Sequence, residues 1–168
     1  MVGLGQKTWG PVSDFGALDF LDFPGLLTEG YTKTSEKTWD YNCIAWAVSK
    51  DDKWWWPLGK LPNGKDAYWP SDAPKKITIP AFVKLFARRG YALVLDNNVD
   101  LEEGFEKVAI YAVGVEPKHA ARQLPSGKWA HKMGSSIDLE TDTAAAVEGS
   151  AYGTLVRVMK RRLAPTGR

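Results

Sequence analysis

The chain has 168 residues, 44% of them hydrophobic and 25% charged, a size and balance that indicate one globular domain with a buried core. The formal net charge is only +2, so whole-molecule electrostatics give no reason to expect nucleic-acid binding. The single cysteine, Cys43, excludes an internal disulfide and fits a reducing compartment.

The start of the chain lacks the pattern of a secretory signal, which is a basic segment followed by an apolar one. The longest apolar runs are also too short to span a bilayer. We therefore expect a protein of the cytoplasm, or one exported without a classical signal peptide, that does not enter the membrane.

The first half of the chain predicts short helices joined by irregular segments. Residues 1–38 are rich in Gly, Asp and Thr and predict an irregular N-terminal extension packed on the core. Asn42 is a typical N-cap residue, so a helix of about two turns is expected to begin at Cys43. Prolines and glycines make residues 50–78 a long loop region, and a second helix is predicted at 80–89.

The second half of the chain predicts mainly strands. They are expected at residues 91–95, 107–113, 119–124, 128–133 and 154–160, with a hairpin turn at 125–127 and a short helix at 142–148. Helices first and antiparallel strands afterwards indicate an α+β fold. We assign the core domain to residues 39–160 and a basic tail to 161–168.

Cys43 is the first candidate for a functional residue. A thiol at the start of a helix faces free backbone N–H groups and the positive end of the helix dipole, both of which lower its pKa. The thiolate is the nucleophilic form, and the same N–H groups could donate to an oxyanion. The alternative is that Cys43 is a small core residue, which is the usual role of a free cysteine.

Two histidines could act as the base for Cys43. His119 opens a predicted strand, and a base at a strand start can face the N-terminus of a helix packed at that end of the sheet. His131 lies within the next strand, on the same face as Trp129 and Met133, and is the spare candidate.

A histidine base needs a partner on its second ring nitrogen, which fixes its tautomer and its direction. Asp138 follows the hairpin and could supply that partner from a neighbouring strand. Glu140 and Asp142 are its competitors.

Tryptophan is concentrated around Cys43, since six of the eight lie between residues 39 and 69. The run Trp54, Trp55 and Trp56 could line a substrate cleft, because adjacent residues are not expected to point inward together. Trp129 of the hairpin is assigned to the same cleft. The alternative is a satellite core beneath the long loop.

The sequence gives no indication of a metal or another cofactor. Two histidines and one cysteine would need carboxylates at suitable spacing to complete a zinc site, and the spacing suggests none. There is no glycine-rich phosphate-binding loop, so no cofactor is expected.

Two motifs resemble the papain-like superfamily of cysteine hydrolases. Asn-Cys-Ile-Ala-Trp-Ala at 42–47 resembles its nucleophile helix, and His-Ala-Ala-Arg-Gln-Leu at 119–124 resembles the base strand of its transglutaminase-like and NlpC-type members. The resemblance implies a nucleophile helix packed on a mainly antiparallel sheet, with Cys43, His119 and Asp138 as the catalytic triad. No glutamine lies shortly before the cysteine, so the oxyanion hole would use the Cys43 N–H, with Asn42 or Tyr41 assisting.

More narrowly, residues 39–160 resemble a family of bacterial proteins that share these motifs and a Glu-Gly…Tyr-Gly ending at 148–153. That resemblance implies no particular substrate. The leading hypothesis is a cysteine hydrolase or acyl-transferase acting on a peptide, an isopeptide or a side-chain amide of a protein. The alternatives are a catalytically inactive module that binds a peptide or glycan through the tryptophan cleft, and a partner-binding protein.

Overall fold

One seven-stranded sheet organises the chain in the computed structural model, which describes residues 20–164. Every strand pair is antiparallel, and the strand order is β1-β6-β5-β4-β3-β7-β2. The strands are β1 Thr32–Ser35, β2 Ala92–Leu93, β3 Phe105–Val113, β4 Glu116–Gln123, β5 Trp129–Lys132, β6 Asp138–Thr141 and β7 Thr154–Arg162. The expected α+β class with an antiparallel sheet is confirmed.

Four helical segments accompany the sheet in the described part of the chain. They are α1 Pro24–Glu29, α2 Cys43–Ala47, α3 Ile79–Ala87 and a 3₁₀ helix at Ala144–Val147. The helix expected at 142–148 is therefore the 3₁₀ helix. None of the helices between residues 20 and 164 is long and apolar enough to cross a membrane.

The end of the expected N-terminal extension belongs to the sheet. Residues 32–35 form the edge strand β1, which pairs with β6, rather than irregular chain. Their side chains are mostly exposed and polar, so they lack the apolar alternation by which a strand is recognised in sequence. At the other end, β7 continues to Arg162, two residues into the expected basic tail. Residues 1–19 and 165–168 lie outside the described part of the chain.

The sheet separates two apolar clusters. Successive side chains on a strand point to opposite faces, so neighbouring β4 residues Ala120 and Ala121 belong to different clusters. Ala120 packs with α2 and α3 on what we call the helix face. Ala121 packs with α1 and the 3₁₀ helix on what we call the opposite face. This division decides which candidate residues meet.

Candidate active site

The start of α2 is held by Asn42. Its Oδ1 accepts hydrogen bonds from the N–H groups of Ala45 (3.4 Å) and Trp55 (2.9 Å), and its Nδ2 donates to the carbonyl of Trp55 (2.8 Å). The residue is completely buried. Its amide is therefore committed to capping α2 and to fixing the Trp55 backbone, so the expected assistance from Asn42 at an oxyanion hole is not what this geometry provides.

Cys43 is the first residue of α2 and is 3% exposed. Burial raises the pKa of its thiol to about 11, while the N–H groups of Ala120, Ile44 and Cys43 itself and the charge of Lys132 act in the opposite direction. At neutral pH the thiol is consequently protonated in this arrangement. The expected pKa lowering by the helix start is present, but the cost of burial exceeds it.

The thiol lies where β4 and β5 separate. These strands pair at Arg122↔Ala130 and Gln123↔Trp129, and the pairing stops there. Along β4, the N–H groups of alternate residues point toward the same neighbouring strand. The N–H of Leu124 bonds to the carbonyl of Lys128 across the hairpin, so the N–H of Ala120, four residues earlier, also points toward β5. We call the gap between residues 119–121 and 131–132 the β4–β5 seam. The Ala120 N–H, left without a strand partner there, meets the Cys43 sulfur.

The two histidines form a directed hydrogen-bond chain on the opposite face. His119 Nε2 lies 3.0 Å from His131 Nδ1, and His131 Nε2 lies 3.0 Å from Thr141 Oγ1. Thr141 donates its only hydroxyl proton to the carbonyl of Thr143 (2.7 Å), so it must accept from His131. His131 therefore carries its proton on Nε2, and His119 donates from Nε2 to His131.

This proton assignment leaves Nδ1 of His119 as a bare lone pair. That atom is buried and has no hydrogen-bond partner. The ring stacks on Tyr152 with centroids 4.0 Å apart and contacts Tyr111 at 5.3 Å. Burial, reinforced by His131, holds the pKa of His119 well below 6.5, and burial lowers the pKa of His131 to about 3. Both rings are neutral at pH 7.

Cys43 and His119 approach the β4–β5 seam from different faces. Ala120, which packs beside Cys43 on the helix face, follows His119 directly in the strand. The His119 ring accordingly lies on the opposite face with Tyr111 and Tyr152. No hydrogen bond joins the thiol to the ring, because His119 Nδ1 has no partner. The two side chains lie on either side of the seam, and no ion pair joins them.

Asp138 does not contact His119, contrary to the expected triad. It pairs with Lys132 in the β5–β6 ladder, whereas His131 pairs with Leu139, so the carboxylate and His131 lie on different faces. Asp138 Oδ2 instead accepts a 2.5 Å hydrogen bond from the Tyr41 hydroxyl. The position beside Nε2 of His119 is taken by His131, the spare candidate for the base.

Tyr41, Asp138 and Lys132 form a polar cluster on the helix face, near Cys43. Burial and the bond to Asp138 raise the pKa of Tyr41 to about 12, and burial raises the pKa of Asp138. Tyr41 donates its proton to the carboxylate, so its expected assistance at an oxyanion hole is not available here. Lys132 was not singled out from the sequence, since one lysine among 22 basic residues gives no signal.

The three adjacent tryptophans are all buried, at 3% for Trp54, 6% for Trp55 and 0% for Trp56. The expectation that one of them faces an open cleft does not hold in this structure. The segment is extended and pairs with Tyr68, so alternate side chains point to two sides that are both covered: Trp55 packs against Tyr68, and Trp56 against Phe82.

Trp129, also assigned to the cleft, is 1% exposed and belongs to the opposite face. Within residues 20–164, no group of three or more His, Cys, Asp or Glu side chains is arranged to hold a metal ion.

Comparison with known proteins shows the family of the chain. The family model described as domain of unknown function DUF7689 matches residues 32–160. It begins at β1 and ends within β7, so it covers the sheet except for the last two residues of β7, and it includes both histidines and Cys43. No curated protein and no solved structure matches the chain.

Proposed function

Since the chain belongs to the DUF7689 family, whose function is unknown, we propose from its own residues that it is a cysteine hydrolase or acyl-transferase of papain-like type. Cys43 is the nucleophile, His119 the base, and His131 the residue that orients His119. The proposed substrates are carbonyl compounds of proteins: peptides, isopeptides or side-chain amides. The observation that carries the proposal is the directed chain that leaves His119 Nδ1 as a buried, unpartnered lone pair at the β4–β5 seam.

The proposed reaction starts from a neutral thiol and a neutral imidazole. As the Cys43 sulfur forms a bond to the substrate carbonyl carbon, the thiol proton passes through the seam to His119 Nδ1. The imidazolium then gives that proton to the leaving amine, and an acyl-enzyme remains. Water, or an acceptor amine in a transferase, attacks the thioester while His119 takes its proton, and the Cys43 thiol is restored.

His131 supports this cycle by holding the His119 tautomer. A histidine whose Nε2–H donates to an acceptor presents the lone pair of Nδ1 to its reaction partner. Catalytic histidines are oriented in this way, by a hydrogen bond to the ring nitrogen that does not react. Thr141 performs the same task for His131. Asp138 has no part in this arrangement.

The proposal is tested by acylating the full chain with p-nitrophenyl acetate and locating the acetyl group by mass spectrometry. We expect a thioester on Cys43 in the wild type, no adduct at this position in Cys43→Ala, and strongly slowed formation in His119→Gln. A panel of peptide, isopeptide and glutamine-amide substrates then separates the reaction classes. If Cys43 never acylates in folded protein, the enzyme proposal fails.

A binding role is the second candidate, and a groove of about 940 Å³ beside α3 favours it. Apolar side chains such as Ile77 and Val115 line it, and its basic residues Lys76, Lys84 and Arg157 outnumber the single acid Glu116. This balance suits an acidic partner peptide with an apolar anchor.

The groove is tested with a labelled peptide of alternating Glu and Leu, measured by fluorescence anisotropy. Binding that weakens with salt and is lost in Lys84→Glu, but not in Lys128→Glu, supports the binding role, because Lys128 is exposed in the turn beyond the other end of β4 from Glu116. Equal binding by both variants contradicts it.

A further inference from the structure

Lys132 is a buried cation whose partners are neutral. It is completely buried on β5, and its Nζ donates to the carbonyl oxygens of Thr38 (2.9 Å) and Ser136 (2.5 Å). The ammonium also lies 5.2 Å from the centroid of the Tyr41 ring. A buried charge that is held by carbonyl dipoles rather than neutralised by a bound carboxylate keeps a strong electrostatic effect on its surroundings.

The register of the sheet places this cation beside Cys43. Arg122 of β4 pairs with Ala130 of β5. Two residues further from the hairpin turn on each strand, Lys132 lies across the β4–β5 seam from Ala120. The Ala120 N–H is the group that meets the Cys43 sulfur. Lys132 and Cys43 therefore share the helix face of the seam, and each favours the charged form of the other.

We propose that the Lys132 ammonium is the charge partner of the Cys43 thiolate. His119 lies on the opposite face of the sheet. It accepts the thiol proton there, so the positive charge that it gains is not beside the sulfur, which lies on the helix face. Lys132 supplies that charge and stabilises the sulfur as it loses its proton. It is a positioning residue, because it acts through Cys43. The inference rests on the proposed role of Cys43 as nucleophile.

Several other charged or titratable groups face this pair. Asp138 lies opposite Lys132 on β6, Asp40 and Tyr41 come from the segment before α2, Arg122 from β4 and Tyr152 from the opposite face. Burial lowers the pKa of Lys132 to about 8, while Asp138, Cys43 and Asp40 raise it. Lys132 therefore loses its charge within a range that experiments reach, and it titrates jointly with the thiol.

The test is the rate of Cys43 alkylation by iodoacetamide between pH 6 and 11 in the full chain. In Lys132→Met we expect a rate about tenfold below wild type at about pH 6 to 7.5, where Lys132 is charged, which corresponds to a rise of about one unit in the apparent thiol pKa, and a smaller difference above about pH 8, where Lys132 loses its charge. Lys132→Arg, whose charge persists at high pH, restores the rate. Lys107→Met is the matched control, since Lys107 is also buried but binds the Asn98 carbonyl far from the seam.

A second measurement keeps the inference testable if Lys132→Met does not fold. The Cys43 thiolate is titrated by its ultraviolet absorbance in wild type and in Lys132→Arg, which keeps a cation at this position. The guanidinium stays charged at pH values where Lys132, with a pKa of about 8, has lost its proton, so the apparent thiol pKa must fall in Lys132→Arg. An unchanged thiol titration in Lys132→Arg, or equal alkylation profiles in wild type and folded Lys132→Met, overturns the inference.

The outcome is distinguishable from that of the proposed function. Coupled titration without acyl transfer leaves the Lys132 inference intact and removes the enzyme. If acylation depends on His119 but Lys132 does not affect the thiol, the proposed function stands and the Lys132 inference fails.

Discussion

His119 Nε2 and His131 Nδ1 lie 3.0 Å apart, and this contact fixes the proton positions of both buried rings. It joins two strands that are no longer paired by their backbones at this point. The contact therefore both closes the opposite face of the β4–β5 seam and decides which nitrogen of His119 is basic.

Replacing His131 with Phe removes the acceptor for the His119 Nε2–H. We expect the free energy of unfolding to fall by about 1–3 kcal/mol, the cost of a buried unpartnered donor, and Cys43 acylation to slow. Tyr111→Phe is the matched control, because it removes another buried hydrogen bond on the same face, to the Ala144 carbonyl (2.6 Å), while His131 and Thr141 stay in place. Urea unfolding and acylation rates separate the two effects, and wild-type acylation in His131→Phe contradicts the orienting role.

The protein is expected to lose stability as the pH falls below about 6.5, the ordinary pKa of histidine. His119 and His131 have lowered pKa values in the folded state, that of His131 being about 3, so the unfolded chain binds protons first. Each histidine then costs about 1.4 kcal/mol per pH unit until the pH reaches its folded pKa. Asp138, whose folded pKa is raised, opposes the trend.

This pH dependence is measured by urea unfolding between pH 7.5 and 4.5. The double variant His119→Phe with His131→Phe lacks both buried bases and should show a much flatter profile over this range. A slope in the double variant as steep as in wild type means that other groups cause the loss.

Asn42→Ala is expected to destabilise the start of α2 and the tryptophan segment together. The change removes a helix cap and leaves the buried N–H and carbonyl of Trp55 without partners, for a combined loss of about 2–5 kcal/mol. Asn63→Ala serves as the control, since Asn63 accepts one bond from the Lys65 N–H in an exposed turn. Similar losses in the two variants contradict the double role of Asn42.

Gly153→Ala tests the turn that presents Tyr152 to His119. Gly149 and Gly153 exchange two backbone hydrogen bonds, Gly153 has a φ of 72°, and a Cβ there would overlap the carbonyl oxygen of Ala112. We expect a loss of more than about 2 kcal/mol in thermal unfolding, because the strained backbone and the overlap act together.

Gly64→Ala is the control for this turn. Gly64 has a φ of 84° but only open space around the position of a Cβ, so it carries the backbone strain alone. A loss at Gly153 no larger than that at Gly64 would show that the close approach to Ala112 has no energetic consequence.

Local signals in the sequence were sufficient for most elements and for the position of Cys43. The Asn42 cap, the hairpin turn at 125–127 and the apolar run of β3 all appear where they were expected. The edge strand β1 could not be recognised, because Thr-Lys-Thr-Ser has no buried face. The burial of three adjacent tryptophans also depends on tertiary contacts, which cover both sides of one extended segment.

The partner of His119 could have been inferred from the sequence. In the hairpin closed by Leu124 and Lys128, each step back along β4 is matched by one step forward along β5. This register puts His119 and His131 on the same face of the sheet, as diagonal neighbours. The same reasoning places Asp138, opposite Lys132, on the other face. The sequence could not show on which face of the sheet α2 packs. That face is decided by the apolar cluster in which Cys43, Ala120 and the distant α3 come together.

The most direct test of the central claim is the second-order rate of Cys43 acylation by p-nitrophenyl acetate, in wild type and in His119→Gln at pH 7.5. Loss of a general base typically costs about 10²–10⁴ in rate, so we expect the variant to react at least about 100 times more slowly while remaining folded. Equal rates in the two proteins would contradict the claim that His119 is the base for Cys43.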